Sequence, residues 1–205
     1  MNRKDEKESM SERKENSRLK SVFSLFQKKN EEDWDETVEA DASTYKKSVP
    51  YVLKQGKYSI TFMVPDNYSW NQNKEPDIDE ELDLVLFPRF TRENSSAIVD
   101  CRYQFEDEAD VESGDYSDAE EYINDQLDYL SEKERKDVKI QQTVVEGKYI
   151  VYYFVRHTRE GLDKYKMLYA VCEVERGKIF ELEMCQLSWQ DLVDIKEIEE
   201  FFRFQ

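Results

Sequence analysis

The chain has 205 residues, 38% of them charged and 39% hydrophobic, which suits one well-buried domain with an extension better than two ordinary domains. The net charge of −17 is uneven, because residues 1–30 hold nine Lys or Arg against five Asp or Glu and residues 31–205 carry −21. Nucleic-acid affinity comes largely from Lys and Arg contacts to phosphate, so a domain this acidic is not expected to bind nucleic acid. A cationic protein partner, or simple solubility, fits the charge better.

The location of the protein is indicated by its apolar runs and its cysteines. The sequence shows no apolar run typical of a secretory leader and no window of roughly 18 apolar residues that would span a bilayer. Cys101, Cys172 and Cys185 are odd in number and lack CxxC spacing, as is typical of a reducing compartment. In a hairpin that turns at Gly177, Cys172 and Cys185 would lie roughly 13 Å apart, beyond disulfide reach. We therefore expect a cytoplasmic protein with buried, free cysteines.

Residues 1–48 are predicted to form a disordered or loosely attached extension, because they contain few large apolar side chains, and residues 49–205 are predicted to form the domain. Within the extension, the basic segment 18–29 places four apolar side chains on one helical stripe: Leu19, Val22, Phe23 and Phe26. This amphipathic segment has three open roles: docking on the acidic domain of its own chain, docking into a partner's groove, or peripheral contact with an anionic membrane.

The first half of the domain is predicted to contain three strands and a helix. Alternating apolar side chains predict strands at residues 57–65, 82–90 and 96–105, the last with one solvated face carrying Asp100, Arg102 and Gln104. Residues 106–121 hold nine acids and no base and are predicted to be a solvated loop. A capping box of Ser117 and Glu120 then predicts a helix that runs to about Lys133.

The second half carries the strongest β signal. Residues 148–187 read as three strands broken at Gly161 and Gly177, preceded by a strand at 138–146. Both alternating sets of the first of these strands are apolar, so both sheet faces are expected to be covered there. A second capping pattern at Ser188 predicts a terminal helix with the stripe Leu192, Ile195, Ile198 and Phe202. The predicted fold is α+β, with one antiparallel, twisted sheet of six or seven strands flanked by helices.

The opening YSITFMVPDNYSW, together with this order of elements, resembles the PsbP-like superfamily. That group includes the photosystem PsbP proteins, the DcrB-like bacterial lipoproteins, a Ran-binding nuclear import factor and the Eag chaperones of type VI secretion. Over residues 57–204 the resemblance implies an α/β/α sandwich and a non-catalytic scaffold that binds proteins or apolar segments. It transfers no catalytic residue, and the chain departs from the lipoprotein members in lacking a leader and a lipidated cysteine.

Motifs for catalysis or metal binding are not found. His157 is the only histidine, and a lone histidine among scattered cysteines does not make a usual zinc site. The sequence contains no GxSxG, HExxH, P-loop or GxGxxG motif, and its cysteines alternate with apolar residues, which argues against a Cys–His nucleophile. The acidic run 77–83 lacks the glycine of a calcium loop and is expected to be solvated. We therefore predict no catalytic residue, metal or cofactor.

The candidate partner-binding residues are tyrosines and acids of the central strands: Tyr149, Tyr153, Tyr165, Tyr169, Glu181 and Glu183. Such tyrosines usually serve core and cross-strand packing, but tyrosines bordered by acids also suit a basic, apolar segment. Glu181 and Glu183 share one face with Ile179 and Cys185, and exposure to water is the favoured reading for both. We predict a non-enzymatic interaction module, an adaptor or chaperone that binds a cationic or amphipathic segment of a protein partner. A peripheral membrane protein held by residues 18–29 and an enzyme of unrecognised type remain the alternatives.

Overall fold

The computed structural model describes residues 46–114, 116–160, 162–190 and 192–205, with the backbone alone at Lys133 and Glu160. The predicted amphipathic segment 18–29 lies outside the described residues. The strands are β1 (Ser48–Leu53), β2 (Ile60–Pro65), β3 (Tyr68–Ser69), β4 (Asp77–Asp79), β5 (Leu84–Leu86), β6 (Phe90–Arg92), β7 (Ile98–Phe105), β8 (Gln141–Val145), β9 (Tyr149–Glu160), β10 (Asp163–Glu175) and β11 (Lys178–Leu187). The helices are α1 (Glu108–Ser113), α2 (Ala119–Asp128), α3 (Glu132–Arg135) and α4 (Ile195–Glu199), with 3-10 turns at Gly56–Tyr58 and Glu200–Phe202.

Two antiparallel sheets form the domain. Strands β1 and β2 make a two-stranded sheet, and the other nine strands make one sheet whose main order is β3-β6-β7-β11-β10-β9-β8. Strand β5 pairs with both β4 and β7. The α+β class is confirmed, and so are the three long strands predicted between residues 148 and 187, which are β9, β10 and β11.

One face of the large sheet, called here the hairpin face, is covered by β1, β2 and the C-terminal residues. Phe62 of β2 is fully buried there, with its ring centroid 4.9 Å from that of Phe180 in β11. The chain end completes this layer, because Phe62 forms a β-bridge with Phe204. Alternating residues of the central strands point to the same core, among them Cys101, Tyr103, Leu168, Ala170, Phe180 and Leu182.

A buried ion pair helps to fix the C-terminal helix over the hairpin face. Arg92 of β6 donates from Nε and Nη2 to the two carboxylate oxygens of Glu197 in α4, at 2.7 and 3.1 Å. The bidentate geometry satisfies both charges where the residues are only 8% and 4% exposed. Removing one partner would leave a buried charge without compensation, so the pair constrains where α4 can lie.

The opposite face, called the helix face, is covered by α2. Asp118 caps this helix by accepting from the backbone N–H groups of Glu120 and Glu121. Ile123 is fully buried beneath it, in a second apolar cluster with Phe154, Tyr169, Val171 and Ile179. The long strands β9, β10 and β11 therefore lie between two packed layers over part of their length.

Several sequence predictions are corrected by this architecture. The large sheet has nine strands rather than six or seven, and a second sheet exists. Helices flank both faces of the large sheet, but on the hairpin face α4 and the following 3-10 turn share the cover with β1 and β2. Pro88 divides the predicted strand 82–90 into β5 and β6, since proline cannot donate to a central ladder. Strands of two or three residues are too short for alternation to reveal.

The predicted helices also differ in their bounds. The acidic stretch 106–121 contains the short helix α1 in addition to loop. Asp118, and not Ser117, caps α2, which ends at Asp128 and is followed by the separate α3. The terminal helix begins at Ile195 with Asp194 as its cap, rather than at Ser188. Serine and aspartate cap equally well, so local preference alone does not choose between neighbouring candidates.

Candidate interaction surface

Glu181 lies at the centre of a buried polar cluster on the helix face. Its two carboxylate oxygens accept from the hydroxyls of Tyr122 and Tyr169, at 2.7 and 2.8 Å. Tyr122 reaches it from α2, whereas Tyr169 is its neighbour on β10, so the cluster ties the helix to the sheet. Glu181 is 3% exposed, and two charge-assisted hydrogen bonds compensate the loss of water.

Arg102 of β7 balances the acids of this cluster. Its guanidinium lies 3.7 Å from Glu181 and 3.7 Å from Glu183, which are neighbours on one face of β11. Burial disfavours the charge of Arg102, but the two carboxylates outweigh this and raise its pKa. Burial raises the pKa of Glu183, against the opposing effect of Arg102 and Arg156. Within the described residues no hydrogen bond reaches the carboxylate of Glu183, so Arg102 is its closest compensation.

The six predicted partner-binding residues do not form one surface. Tyr149 and Tyr153 point to the hairpin face, where Tyr149 is buried against Phe204 and Tyr153 donates to Gln141. Tyr165, Tyr169, Glu181 and Glu183 belong to the helix face.

Glu181 and Glu183 were expected to face water, and this is wrong, because they are 3% and 8% exposed. The predicted solvated face of β7 is wrong for the same reason, since Gln104 is 3% exposed. A partner would reach these acids only after the cluster rearranged.

The cysteines lie where thiol chemistry is disfavoured. All three are free and buried, and burial raises the pKa of Cys172 and of Cys185 to about 12 and raises that of Cys101 as well. His157 is exposed on β9 and pairs with Lys166. Cys172 pairs with Val151, six residues along the same strand and therefore roughly 20 Å from His157. Cys185 pairs with Met167, whose other partner is Arg156, so Cys185 lies on the face of the sheet opposite to His157. Neither Cys172 nor Cys185 is therefore placed beside His157.

The acidic run 77–83 uses two of its carboxylates in local contacts. Asp79 accepts from the backbone N–H groups of Glu81 and Leu82, forming a turn at the end of β4. Asp83 contacts the ammonium of Lys57 at 2.5 Å and accepts from the hydroxyl of Tyr58. No group of three or more metal-ligating side chains is found within the part of the chain that the structure describes.

Exposed acids are concentrated in one segment, residues 107–128, called here the acidic segment. It contains nine exposed acids and the sequence places no Lys or Arg within it. Of these nine, Asp128 alone forms an ion pair with a described residue, Arg135. The nine are Asp107, Glu108, Asp110, Glu112, Asp118, Glu120, Glu121, Asp125 and Asp128.

An exposed apolar pair lies beside this acidic segment. Val144 of β8 and Ile150 of β9 are cross-strand neighbours, 57% and 46% exposed. The expectation that both faces of this strand are covered is therefore wrong at Ile150. Tyr152 follows two residues later and donates to Glu120 of α2 at 3.2 Å, so the acids begin next to the apolar pair. The sequence showed that both alternating sets of β9 are apolar. It did not show that α2 is too short to cover Ile150.

A scan against protein-family models and a search of the curated proteins find no match. Among solved structures, the chain is similar to LpqN, which is involved in cell envelope biogenesis of Mycobacterium tuberculosis. The TM-score is 0.41 and the identity 8%, over 78% of this chain and 90% of LpqN. Every helix among the described residues is too short or too polar to cross a bilayer. The PsbP-like resemblance therefore remains a prediction.

Proposed function

We propose that this domain is a non-enzymatic protein-interaction module, an adaptor or chaperone of the PsbP-like kind, that binds a basic or amphipathic segment of a protein partner. The observation that carries the proposal is the acidic segment 107–128, with nine exposed acids of which one is ion-paired. Unpaired acids on one surface raise the local concentration of cationic segments and accelerate their association. Three free, buried cysteines support a reducing, cytoplasmic setting.

The binding surface in this proposal differs from the residues that the sequence suggested. Glu181 and Glu183 already have Arg102 as their counter-charge, so they offer little attraction to a second cation. Acids of α1 and α2 such as Glu112, Glu121 and Asp125 are exposed and lack an ion pair among the described residues. Helix α2, which carries Glu121 and Asp125, is anchored by Ile123, so these two acids are presented on a fixed support.

The test compares two variants that change net charge equally. The first neutralises Glu112, Glu121 and Asp125 with Gln, Gln and Asn, and the second neutralises the exposed Glu75, Glu80 and Glu81 with Gln. The probe is a labelled synthetic peptide of repeating Lys-Thr-Val-Thr, titrated with the full chain by fluorescence anisotropy at low and high salt. We expect the first variant to bind on the order of tenfold more weakly and the second to bind as the wild type does.

Two outcomes would contradict the proposal. Equal loss in both variants would show that total charge, and not this segment, attracts the peptide. Binding that is absent, or that does not weaken as salt is raised, would also refute it, because exposed charges are screened over about 8 Å at physiological ionic strength.

A further inference from the structure

The five edge strands of the described sheets differ in how they are protected from pairing with another chain. The outer side of β2 is bridged to the C-terminal residues through Phe62 and Phe204. Strand β1 contains Pro50 and is flanked by Lys47 and Lys54, β3 has two residues, and β4 has three residues, of which two are aspartates. Prolines, charges and short length are the usual devices that keep an edge strand from adding a further strand. Strand β8, Gln-Gln-Thr-Val-Val, has five residues with no proline and no charge among them, and the charge that follows it, Glu146, is paired with Arg203.

The outer side of β8 is free within the part of the chain that the structure describes. Strand β8 pairs with β9 along Gln141–Val145, and no other described strand pairs with it. Its outward backbone N–H and C=O groups therefore remain available as a template for an added strand. Thr143 donates to Glu199 of α4 on the hairpin face, which fixes the strand without covering its edge.

The side chains beside this edge define what an added strand would contact. On the helix face, Val144 and Ile150 form an exposed apolar pair, and the next cross-strand pair is Gln142 and Tyr152. The Tyr152 hydroxyl donates to Glu120, so an acid lies beside this second position. A strand next to β8 would place residues two apart on this face, one against Val144 and the other beside Gln142.

We propose that β8 binds an extended basic segment of a partner protein as an added β-strand. This inference rests on the proposed function and specifies its mode of binding. The segment carries an apolar residue against Val144 and a Lys or Arg two residues away, directed toward Glu120 and the acidic segment. A second copy of this chain is a poor occupant, because residues 31–205 carry a charge of −21 and would bring like charges together.

The main test modifies the peptide and leaves the protein unchanged. The Lys-Thr-Val-Thr peptide is compared with the same peptide N-methylated at alternate residues, which removes donors along one edge while preserving charge and side chains. Strand addition predicts that the methylated peptide binds the full chain at least about tenfold more weakly, because several backbone hydrogen bonds are lost. It also predicts that the unmodified peptide slows hydrogen exchange of amides in residues 141–145.

A matched pair of protein variants tests the location. Val144→Lys puts a charge on the edge of β8, and Val52→Lys puts the same charge on β1, at a residue that is 50% exposed against 57% for Val144. We expect Val144→Lys to weaken the peptide at least about tenfold and Val52→Lys to change its affinity less than about twofold. Thermal unfolding of both variants checks that each is folded.

The outcomes separate this inference from the proposed function. If the methylated peptide binds as well as the unmodified one, yet neutralising the acidic segment weakens both, the proposed function stands and strand addition is refuted. If no peptide binds, the proposed function itself fails. Protection, in the free chain, of the β8 amides that face away from β9 refutes the inference in either of two forms. Concentration-dependent protection identifies a second copy as the occupant, and concentration-independent protection identifies another part of the same chain.

Discussion

Replacement of Arg102 by Met should destabilise the domain, because it removes the positive charge that compensates the buried carboxylates of Glu181 and Glu183. The Arg102 side chain is 12% exposed and lies 3.7 Å from Glu181 and from Glu183, whose side chains are 5% and 9% exposed. Methionine keeps much of the packing but removes the positive charge. Loss of one partner from a buried ion pair costs about 3–5 kcal/mol, and we expect a loss of this size at pH 8. Glu181 retains the hydroxyls of Tyr122 and Tyr169, so Glu183 should account for most of the loss.

The pH dependence of this loss follows from the pKa of Glu183. Burial raises that pKa above its ordinary value of 4.5 in the wild type, and Arg102 opposes the rise, so Arg102→Met should raise it further. A carboxyl with a raised pKa in the folded state stabilises the protein below the unfolded pKa, and this contribution is lost as pH rises through the folded pKa. The variant should therefore approach wild-type stability near pH 4.5 and fall increasingly below it toward pH 8.

Urea unfolding, followed by circular dichroism at several pH values, measures the free energy of unfolding of the wild type and of Arg102→Met. The double variant Arg102→Met/Glu183→Gln is the matched control, because it removes the carboxyl that lost its partner. It should recover at least half of the loss at pH 8. A deficit that is the same at all pH values, or that Glu183→Gln does not reduce, would refute the explanation based on Glu183.

Three further predictions concern the helix face and the thiols. Ile123→Ala should lower the free energy of unfolding by about 2–5 kcal/mol, whereas the exposed Asp125→Ala should change it by less than about 0.5 kcal/mol; similar effects would contradict the packing of α2. Tyr122→Phe and Tyr169→Phe should each lower the free energy of unfolding in urea by about 1.5–3 kcal/mol. The double variant should lower it by more than the sum, because Glu181 then keeps neither hydroxyl, and an additive result would argue against a shared role. Burial raises the pKa of Cys172 and Cys185 to about 12, so iodoacetamide should label the folded chain slowly at pH 8 and the unfolded chain rapidly. Fast labelling of the folded chain would show that its thiolates are accessible.

The long strands could be predicted from sequence because local preference and tertiary structure agree there. In β9 and β10 a run of β-branched and aromatic residues is followed within two residues by a glycine, and Gly177 adopts a φ of 72° in the turn between β10 and β11. A side chain at this position would also collide with Val111 of α1, so the glycine is required twice over. Strands β5 and β6 were predicted as the single strand 82–90, whereas β3 and β4, with two and three residues, are too short for alternation to reveal.

The buried polar cluster around Glu181 could not be predicted from the alternation of polar and apolar residues. Alternation shows which residues share a face of a strand, but not whether that face is exposed to solvent. Arg102 and Glu181 are cross-strand partners in the register of β7 and β11, which are separated by most of the second half of the chain. Neither strand alone indicates that its charged residues neutralise each other beneath α2. The acidic segment, in contrast, was evident as composition, and only its relation to Val144 and Ile150 required coordinates.

An edge strand as bare as β8 needs another source of protection from self-pairing, and the charge of the chain supplies one. At neutral pH the net charge of −17 keeps copies apart, whereas near the sequence pI of about 4.6 this repulsion disappears. We therefore expect sedimentation to detect self-association of the full chain as pH falls from 7 toward 5, or as salt is raised at pH 7. Val144→Lys should suppress that association, and Val52→Lys, which adds the same charge to a strand that contains Pro50, should not. Equal suppression by both variants would mean that net charge alone controls association. The explanation that copies associate through the edge of β8 would then be refuted.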